Sequence, residues 1–361
     1  MRWQEAKPHL SETADWRGFV FLFLRALIGG VAVIYLFILL VDPYGIVPFS
    51  LPLDRRIVSI NQRYMYPQIV RSGRFDSLII GTSTSRLIDP QLLDGFFHAR
   101  FANLAMDSAT AWEQQAMLDL FLRTVGPPKV LIVGLDVVWC DPNADHDRIT
   151  FRGFPRWLYD GSPWDRYLHL LNAGTLEVAV RLVGYQFGLY RERIRFDGYD
   201  AFVPLESQYD AERARRNIWG DAPHSALTAP AAAAPPLSAE ERSRLAFPAL
   251  SWLDAGLARL PDGSLKILAF MPVHVAAQPP PGSRAAAVEA ECKARIAAIG
   301  RNRGATVIDW RIASDLTRTD TNYWDSLHYR VPVADRLAQE LAAAALSKSK
   351  SEEGSYVILV R

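Results

Sequence analysis

Two short stretches, far apart in the chain, contain the residue types of a nucleophilic site. The segment 322–329 includes Asp325 and His328, three residues apart, so that a carboxylate could orient an imidazole. Far upstream, an apolar run ends in Gly81 and is followed by Ser83, which could act as the nucleophile. These residue types together predict acyl transfer through a serine, a histidine and an aspartate.

Five short apolar segments, each bounded by turn residues, predict the buried parallel strands that would position these groups. They are residues 77–81, 101–105, 129–134, 266–271 and 305–309. Helical patterns at 112–123 and 284–301 lie between strands. This alternation predicts an α/β fold with a doubly wound parallel sheet, whose site lies at the carboxyl ends of the strands.

Charge and cysteine content exclude some classes of function. The 361 residues carry 40 Lys and Arg against 39 Asp and Glu, so no overall basic field favours nucleic acid as a partner. The chain has two cysteines, Cys140 and Cys292, and no Cys-x-x-Cys pair, so we expect no metal. We also expect no cofactor. The two cysteines could form a disulfide in an oxidising compartment, or they could be two buried thiols.

An N-terminal apolar segment predicts a membrane anchor. Residues 18–41 are apolar except for Arg25 and are long enough to cross a hydrocarbon core of about 30 Å. The run is longer than the apolar core of a signal peptide, which favours an uncleaved transmembrane helix. Basic residues at its N-terminal side predict a cytoplasmic segment 1–17 and an exported C-terminal part. The predicted location is therefore a bacterial-type inner (plasma) membrane, crossed once, with the domain in the periplasm or outside the cell.

The exported part is predicted to be one domain, residues 42–346, followed by a C-terminal tail, residues 347–361. A long insertion at about 141–260 separates the third and fourth predicted strands. Insertions of this length inside a compact domain are usually functional or flexible. We expect a helical cap followed by a mobile linker around the alanine- and proline-rich segment 230–236.

The order of these blocks along the chain resembles that of the SGNH/GDSL hydrolase superfamily. Gly81, Thr82 and Ser83 are similar to its Gly-Asp-Ser block, with Thr82 in place of the aspartate. Ser108 falls on the glycine of the second block, whose amide helps to form the oxyanion hole. Asp136 falls on the asparagine of the third block, whose side chain donates to the oxyanion.

The last block of the family is matched directly by Asp325 and His328. The resemblance covers residues 76–138 and 265–341, and it is closest to the membrane-anchored, acyltransferase-like branch acting on extracellular polysaccharides. It implies a flavodoxin-like SGNH-type fold in which Ser83 is the nucleophile, His328 the base and Asp325 its orienting acid.

What the resemblance implies about function is a serine esterase or O-acyltransferase that moves a small acyl group, such as acetyl, on a surface or secreted polysaccharide. A transferase would also need an acyl donor, which a membrane-embedded partner protein would supply. The departures at Thr82 and Asp136 leave a second hypothesis open, a catalytically inactive SGNH-fold protein that binds glycan or scaffolds a polysaccharide synthesis complex. A nucleotide-binding function is disfavoured, because no glycine-rich phosphate loop follows the first strand.

Four more residues are candidates for the substrate pocket. Arg86 follows the nucleophile loop, where it could also pair with Asp136. Asp107 and Trp112 flank the second block, and His274 follows the fourth strand.

Each assignment also has a structural alternative. Ser83 could cap a helix that begins near Asp89, and Ser85 could be the reactive hydroxyl instead. Trp112 could pack in the core, and His274 could be satisfied by backbone contacts.

Overall fold

A six-stranded, mostly parallel sheet forms the centre of the protein. The structure, a computed structural model, describes residues 16–160, 163–220, 235–347 and 354–361. The strands are β1 (Ser77–Ile80), β2 (Phe101–Asn103), β3 (Val130–Leu135), β4 (Leu265–Phe270), β5 (Ala305–Asp309) and β6 (Val357–Val360). They lie in the order β2-β1-β3-β4-β5-β6, with the first five parallel and β6 antiparallel to β5.

Helices cover both faces of this sheet. They are α1 (Trp16–Val41), α2 (Gln62–Arg71), α3 (Pro90–Phe97), α4 (Ala111–Thr124), α5 (Arg156–Tyr159), α6 (Pro163–Leu170), α7 (Ala173–Gln186), α8 (Ala211–Trp219), α9 (Ala239–Arg244), α10 (Ala249–Ala258), α11 (Arg284–Arg303), α12 (Asp315–Arg318) and α13 (Val331–Ala342). In β1, Leu78 and Ile80 join the core beneath α4, α10 and α11, whereas Ile79 joins the core beneath α3 and α13. Successive strand residues point to opposite faces, so apolar runs without alternation are what a sheet buried on both sides requires.

The five predicted strands agree with the observed ones to within one or two residues at their ends. The sixth strand was not predicted, because its four residues lie in a tail that begins with polar residues. The predicted boundary at 346 is therefore wrong, since the end of the tail pairs with β5 and completes the sheet. This pairing covers the edge of β5, which would otherwise present unpaired backbone groups.

The predicted membrane segment is a single helix. α1 has 26 residues, which at 1.5 Å per residue gives a length of about 39 Å. Its buried residues, Ile38 and Val41, are both in the last turn, and most of the remainder is exposed and apolar. α1 is therefore long and apolar enough to cross a membrane.

The insertion is largely helical, as expected, and contains α5 to α10 in its described part. Most of the predicted linker, together with residues 221–234 as a whole, lies outside the described residues. The segment 194–203 runs back to the sheet, where Asn103 N donates to Asp197 O at 2.7 Å. This contact brings part of the insertion next to the carboxyl end of β2.

Cys140 and Cys292 form a disulfide, which decides between the two alternatives left open by the sequence. It links the turn after β3 to α11, across a sequence separation of 152 residues. Cross-linking such a long loop restricts the unfolded chain, and the typical stabilisation is about 2–4 kcal/mol. Disulfides persist mainly in oxidising compartments.

Reduction of this disulfide is expected to lower the free energy of unfolding by about 2–4 kcal/mol. The measurement is denaturant unfolding of the full chain in detergent, with and without a thiol reductant. The matched control is the double variant Cys140→Ser, Cys292→Ser. Its free energy of unfolding should equal that of the reduced wild type and should not change when the reductant is added. Equal stability of oxidised and reduced wild type would contradict the prediction.

Candidate active site

Ser83, His328 and Asp325 form a continuous hydrogen-bonded relay. His328 Nε2 lies 2.9 Å from Ser83 Oγ, although the two residues are 245 positions apart. On the other side of the ring, His328 Nδ1 lies 2.8 Å from Asp325 Oδ2. Ser83 is half-buried, and His328 and Asp325 are 20% and 30% exposed, so a substrate can reach them. This is the geometry in which an imidazole can take a proton from a serine hydroxyl.

Asp325 is held as a carboxylate facing the ring. Its Oδ1 accepts hydrogen bonds from the backbone N–H groups of Leu327 and His328, at 2.8 and 2.9 Å. Burial acts to raise the pKa of Asp325, but the hydrogen bond from His328 and these two amides outweigh it and lower the pKa. The side chain therefore stays ionised at neutral pH and can stabilise a protonated His328.

The nucleophile loop is shaped by two glycines and one buried serine. After β1 the chain passes through Gly81 and extended Thr82 into a short 3-10 turn, Ser83–Ser85. A Cβ atom built on Gly134 would lie 1.8 Å from Ser85 Oγ, and one on Gly81 would lie 2.5 Å from it. Ser85 is thus packed between two glycines and fully buried, which excludes it as the reactive hydroxyl.

Two buried side chains that were not predicted support this loop. Asn103, at the end of β2, donates from Nδ2 to the carbonyl oxygens of Ser85 and Ile88, both at 2.9 Å. Tyr329 donates its hydroxyl to Thr84 O, which ties the residue after His328 to the nucleophile loop. No sequence motif identifies either contact, because an Asn or Tyr near a strand end has many structural uses. The helix-cap alternative for Ser83 does not hold, since Asp89 itself caps α3.

The second loop, residues 106–110 after β2, lies beside the nucleophile loop and contains Ser108. Met106 N donates to Gly81 O at 3.1 Å, which holds the two loops side by side. Within the described residues, the N–H groups of Ser83 and Ser108 donate no hydrogen bond, so both are free to bind an oxyanion. Ser108 has a φ of 52°, in the left-handed region that favours glycine. This conformation explains why a glycine would suit the position.

Ser108→Gly is expected to keep the activity and to raise the free energy of unfolding by up to about 1 kcal/mol. Glycine removes the strain of the left-handed backbone in the folded state. This gain outweighs the greater conformational entropy that glycine gives to the unfolded chain. Denaturant unfolding measures the gain, with Ser207→Gly as the control at an exposed position of negative φ. If Ser108→Gly lowers the free energy of unfolding as much as Ser207→Gly does, the backbone at Ser108 is not strained.

Asp136 is an acceptor in this structure. Its Oδ2 accepts a hydrogen bond from the Thr82 hydroxyl, and its Oδ1 accepts one from Val138 N at 3.2 Å. Burial raises the pKa of Asp136, while the positive charge of Arg311 and the hydrogen bond from Thr82 act to lower it. In its ionised form the Asp136 side chain can only accept hydrogen bonds, so it does not fit the predicted role of a side-chain donor to the oxyanion.

Arg86 does not pair with Asp136, and that prediction is wrong. Its guanidinium forms ion pairs with Asp107 and with Asp200, a residue of the insertion. It also lies over the ring of Phe202, at 4.6 Å from the centroid. The reason is topological, since the segment 194–203 folds back across the carboxyl end of β2 and brings a second carboxylate to Arg86.

A cavity of about 510 Å³ lies beside the relay. Its lining is mainly polar and charged: Ile60, Asn61, Gln62, Arg63, Arg86, Asp107, Arg152, Arg193, Asp200 and Phe202. Phe202 connects it to the site, because its ring packs edge-on against His328 with 5.2 Å between centroids. Arg86 and Asp107 therefore line a cavity next to the relay.

Trp112 and His274 do not line this cavity, and their prediction as pocket residues needs correction. Trp112 packs edge-on against Phe154, 5.3 Å between centroids, on the surface of α4. His274 is fully buried, where its Nδ1 accepts from Ala276 N at 3.1 Å and its Nε2 contacts Asp320 at 3.1 Å. His274 thus follows its structural alternative, whereas Trp112 packs against Phe154 outside the buried core.

The support beneath the second loop is a buried ion pair that sequence reasoning missed. Arg63 of α2 contacts Glu113 of α4 through Nε and Nη2, at 3.0 and 2.6 Å, and both side chains are at most 1% exposed. Arg63 Nη2 also donates to Asp107 O at 3.0 Å, in the residue before Ser108. Thr110 and Glu113 form a capping box, the one part of this arrangement with a sequence signal.

Comparison with known proteins assigns no family to the chain. No protein-family model matches it, and no curated protein matches it. Among the residues that the structure describes, no group of three His, Cys, Asp or Glu side chains could hold a metal ion.

Proposed function

We propose that this protein is a membrane-anchored serine esterase or O-acyltransferase of the SGNH type that acts on a polysaccharide. The observation that carries the proposal is the relay from Asp325 through His328 to Ser83 at the carboxyl end of β1. A strand order of 2-1-3-4-5 supports a flavodoxin-like fold, in which ligands bind at this edge of the sheet. α1 supports membrane anchoring, and the disulfide supports an exported domain.

In the proposed reaction, Ser83 Oγ attacks the carbonyl carbon of an ester while His328 Nε2 accepts the hydroxyl proton. The negative charge that develops on the carbonyl oxygen is held by the N–H groups of Ser83 and Ser108. Collapse of this intermediate breaks the ester bond, and His328 returns the proton to the departing alcohol. An acyl group then remains on Ser83.

The second half of the reaction releases that acyl group. Water would attack it in an esterase, whereas a sugar hydroxyl would attack it in a transferase, and His328 takes the proton in both cases. The bond between the acyl carbon and Ser83 Oγ then breaks, and His328 returns the proton to Ser83 Oγ. The charged and amide side chains that line the 510 Å³ cavity suit an acceptor with many hydroxyl groups, such as a sugar chain. A transferase would receive its acyl group, such as acetyl, from a membrane-embedded donor protein in the same bilayer.

One observation favours a second function, a catalytically inactive SGNH-fold protein that binds glycan or scaffolds a synthesis complex. Asp136 accepts two hydrogen bonds and offers no side-chain donor to an oxyanion. Loss of one such donor costs about 10²–10³ in kcat in a well-studied protease, so the two amides alone would give a weaker catalyst.

A fluorophosphonate probe separates the two functions, because it reacts only with an activated serine hydroxyl. The full chain should be labelled under the first function, and the label should be lost in Ser83→Ala. Ser85→Ala is the matched control, since it removes a neighbouring hydroxyl that has no hydrogen-bond partner within the described residues. Absence of labelling, together with glycan binding that is unchanged in Ser83→Ala, would support the scaffold function.

A further inference from the structure

Two segments that contact the C-terminal part of α1 carry exposed apolar side chains. Trp164 and Leu168 lie one turn apart on α6 and are 80% and 79% exposed, and Leu171, just after the helix, is 44% exposed. Leu170 points the other way and is fully buried. The outward side of α6 thus carries two large, exposed apolar side chains beside the half-exposed pair Asp165 and His169, whereas the outward face of a surface helix in water is normally polar throughout.

A second segment contributes to the same surface. Phe49 and Leu51, in the loop after α1, are 62% and 47% exposed. Leu51 N donates to Leu40 O at 2.7 Å, which holds this loop against the C-terminal end of α1. We call the five residues Phe49, Leu51, Trp164, Leu168 and Leu171 the apolar collar.

The collar is fixed at a definite height along α1. α6 and α7 pack against the helix, and Tyr35 donates its hydroxyl to Tyr167 O of α6 at 2.9 Å. Tyr35 lies six residues before the end of α1, or about 9 Å from it. A hydrocarbon core of about 30 Å that begins near Trp16 would end at this level. The collar therefore lies where the headgroup layer would be.

We propose that the apolar collar inserts into the headgroup layer of the bilayer that α1 spans, so that the domain is seated on the membrane surface. The proposal rests on the anchoring role proposed above for α1. Lipid is the occupant that fits, because α6 packs directly on the anchor and so faces the space that lipid fills around it. Trp and Tyr side chains concentrate in this interfacial layer, as Trp164 and Tyr35 would.

Seating by the collar would restrict how the domain moves relative to the membrane. A single helix followed by a free linker lets a domain rotate and tilt, but three contact segments on α1, the 49–51 loop and α6 fix its orientation. The relay would then be held at one height above the bilayer, where a polymer leaving the membrane or a membrane-embedded acyl donor could reach it.

Tryptophan quenching tests the proposal with the full chain in nanodiscs of phospholipid brominated near the headgroup. The quenched fraction of the fluorescence should fall in Trp164→Phe and stay unchanged in Trp252→Phe, a control on α10. Trp16→Phe reports separately on the anchor, since Trp16 lies at the other end of α1 and is 70% exposed.

Each outcome of this experiment has a single meaning. A drop in Trp164→Phe supports the collar. No drop there, with a drop in Trp16→Phe, overturns the collar and leaves the anchor in place. No quenching in the wild type overturns both the anchor and the collar. Labelling of Ser83 by the fluorophosphonate probe in the same nanodiscs tests the proposed chemistry, whichever of these quenching results is found.

Discussion

Ser83→Ala and His328→Ala are each expected to lower the turnover of p-nitrophenyl acetate by about 10⁴-fold or more. Ser83 forms the covalent intermediate, and His328, 2.9 Å away, moves the proton in both half-reactions. Residues that act as one unit are strongly non-additive, and in a comparable triad one substitution costs nearly as much as all together. The double variant should therefore be no slower than either single variant.

Steady-state kinetics of the full chain in detergent measure this effect. Ser85→Ala is the control, because it alters the same loop without touching the relay, and its turnover should stay near that of the wild type. If the fold-loss of turnover in the double variant equals the product of the two single losses, Ser83 and His328 act separately. If the wild type turns over this ester no faster than the variants, Ser83 and His328 do not catalyse its hydrolysis. That result would favour the scaffold function.

Arg63→Met is expected to lower the free energy of unfolding by about 3–5 kcal/mol. The change leaves Glu113 buried without its charge partner, and such an uncompensated charge costs more than the ion pair contributed. It also removes the hydrogen bond to Asp107 O, so the Ser108 amide should lose its fixed position. We therefore expect turnover to fall as well, mainly through kcat.

The double variant Arg63→Met, Glu113→Gln separates charge from packing. Glutamine keeps an oxygen for the capping box with Thr110, and no unpaired charge stays buried. The double variant should therefore recover much of the stability lost by Arg63→Met alone, in denaturant unfolding. A loss of less than about 1 kcal/mol in Arg63→Met would contradict the prediction, because it would mean that the charge of Glu113 is compensated without Arg63.

Activity in that double variant would show what the ion pair does for the site. If stability returns but kcat does not, the contact of Arg63 with the second loop matters for the oxyanion amide itself. If both return, Arg63 contributes only through the stability of the fold. The first result is expected, because Arg63 touches the backbone one residue before Ser108.

The sequence alone determined the features that depend on neighbouring residues. Five strands and α1 were predicted because apolar runs report burial directly, whatever they pack against. Asp325 and His328 were recognisable because three positions separate them, and one turn suffices to bring their side chains together. Ser83 was predicted as their partner because the ends of parallel strands meet at one edge of the sheet.

Only the tertiary structure decided which distant side chains meet. Arg86 could have paired with Asp136, but a segment of the insertion 114 residues away supplies Asp200 instead. Arg63 lies in α2, a largely buried helix of mixed composition, and nothing in the sequence indicates which acid would pair with it. The packing of α2 on α4 supplies Glu113. The joined cysteines and the sixth strand likewise depend on how remote segments pack, and no local pattern contains that information.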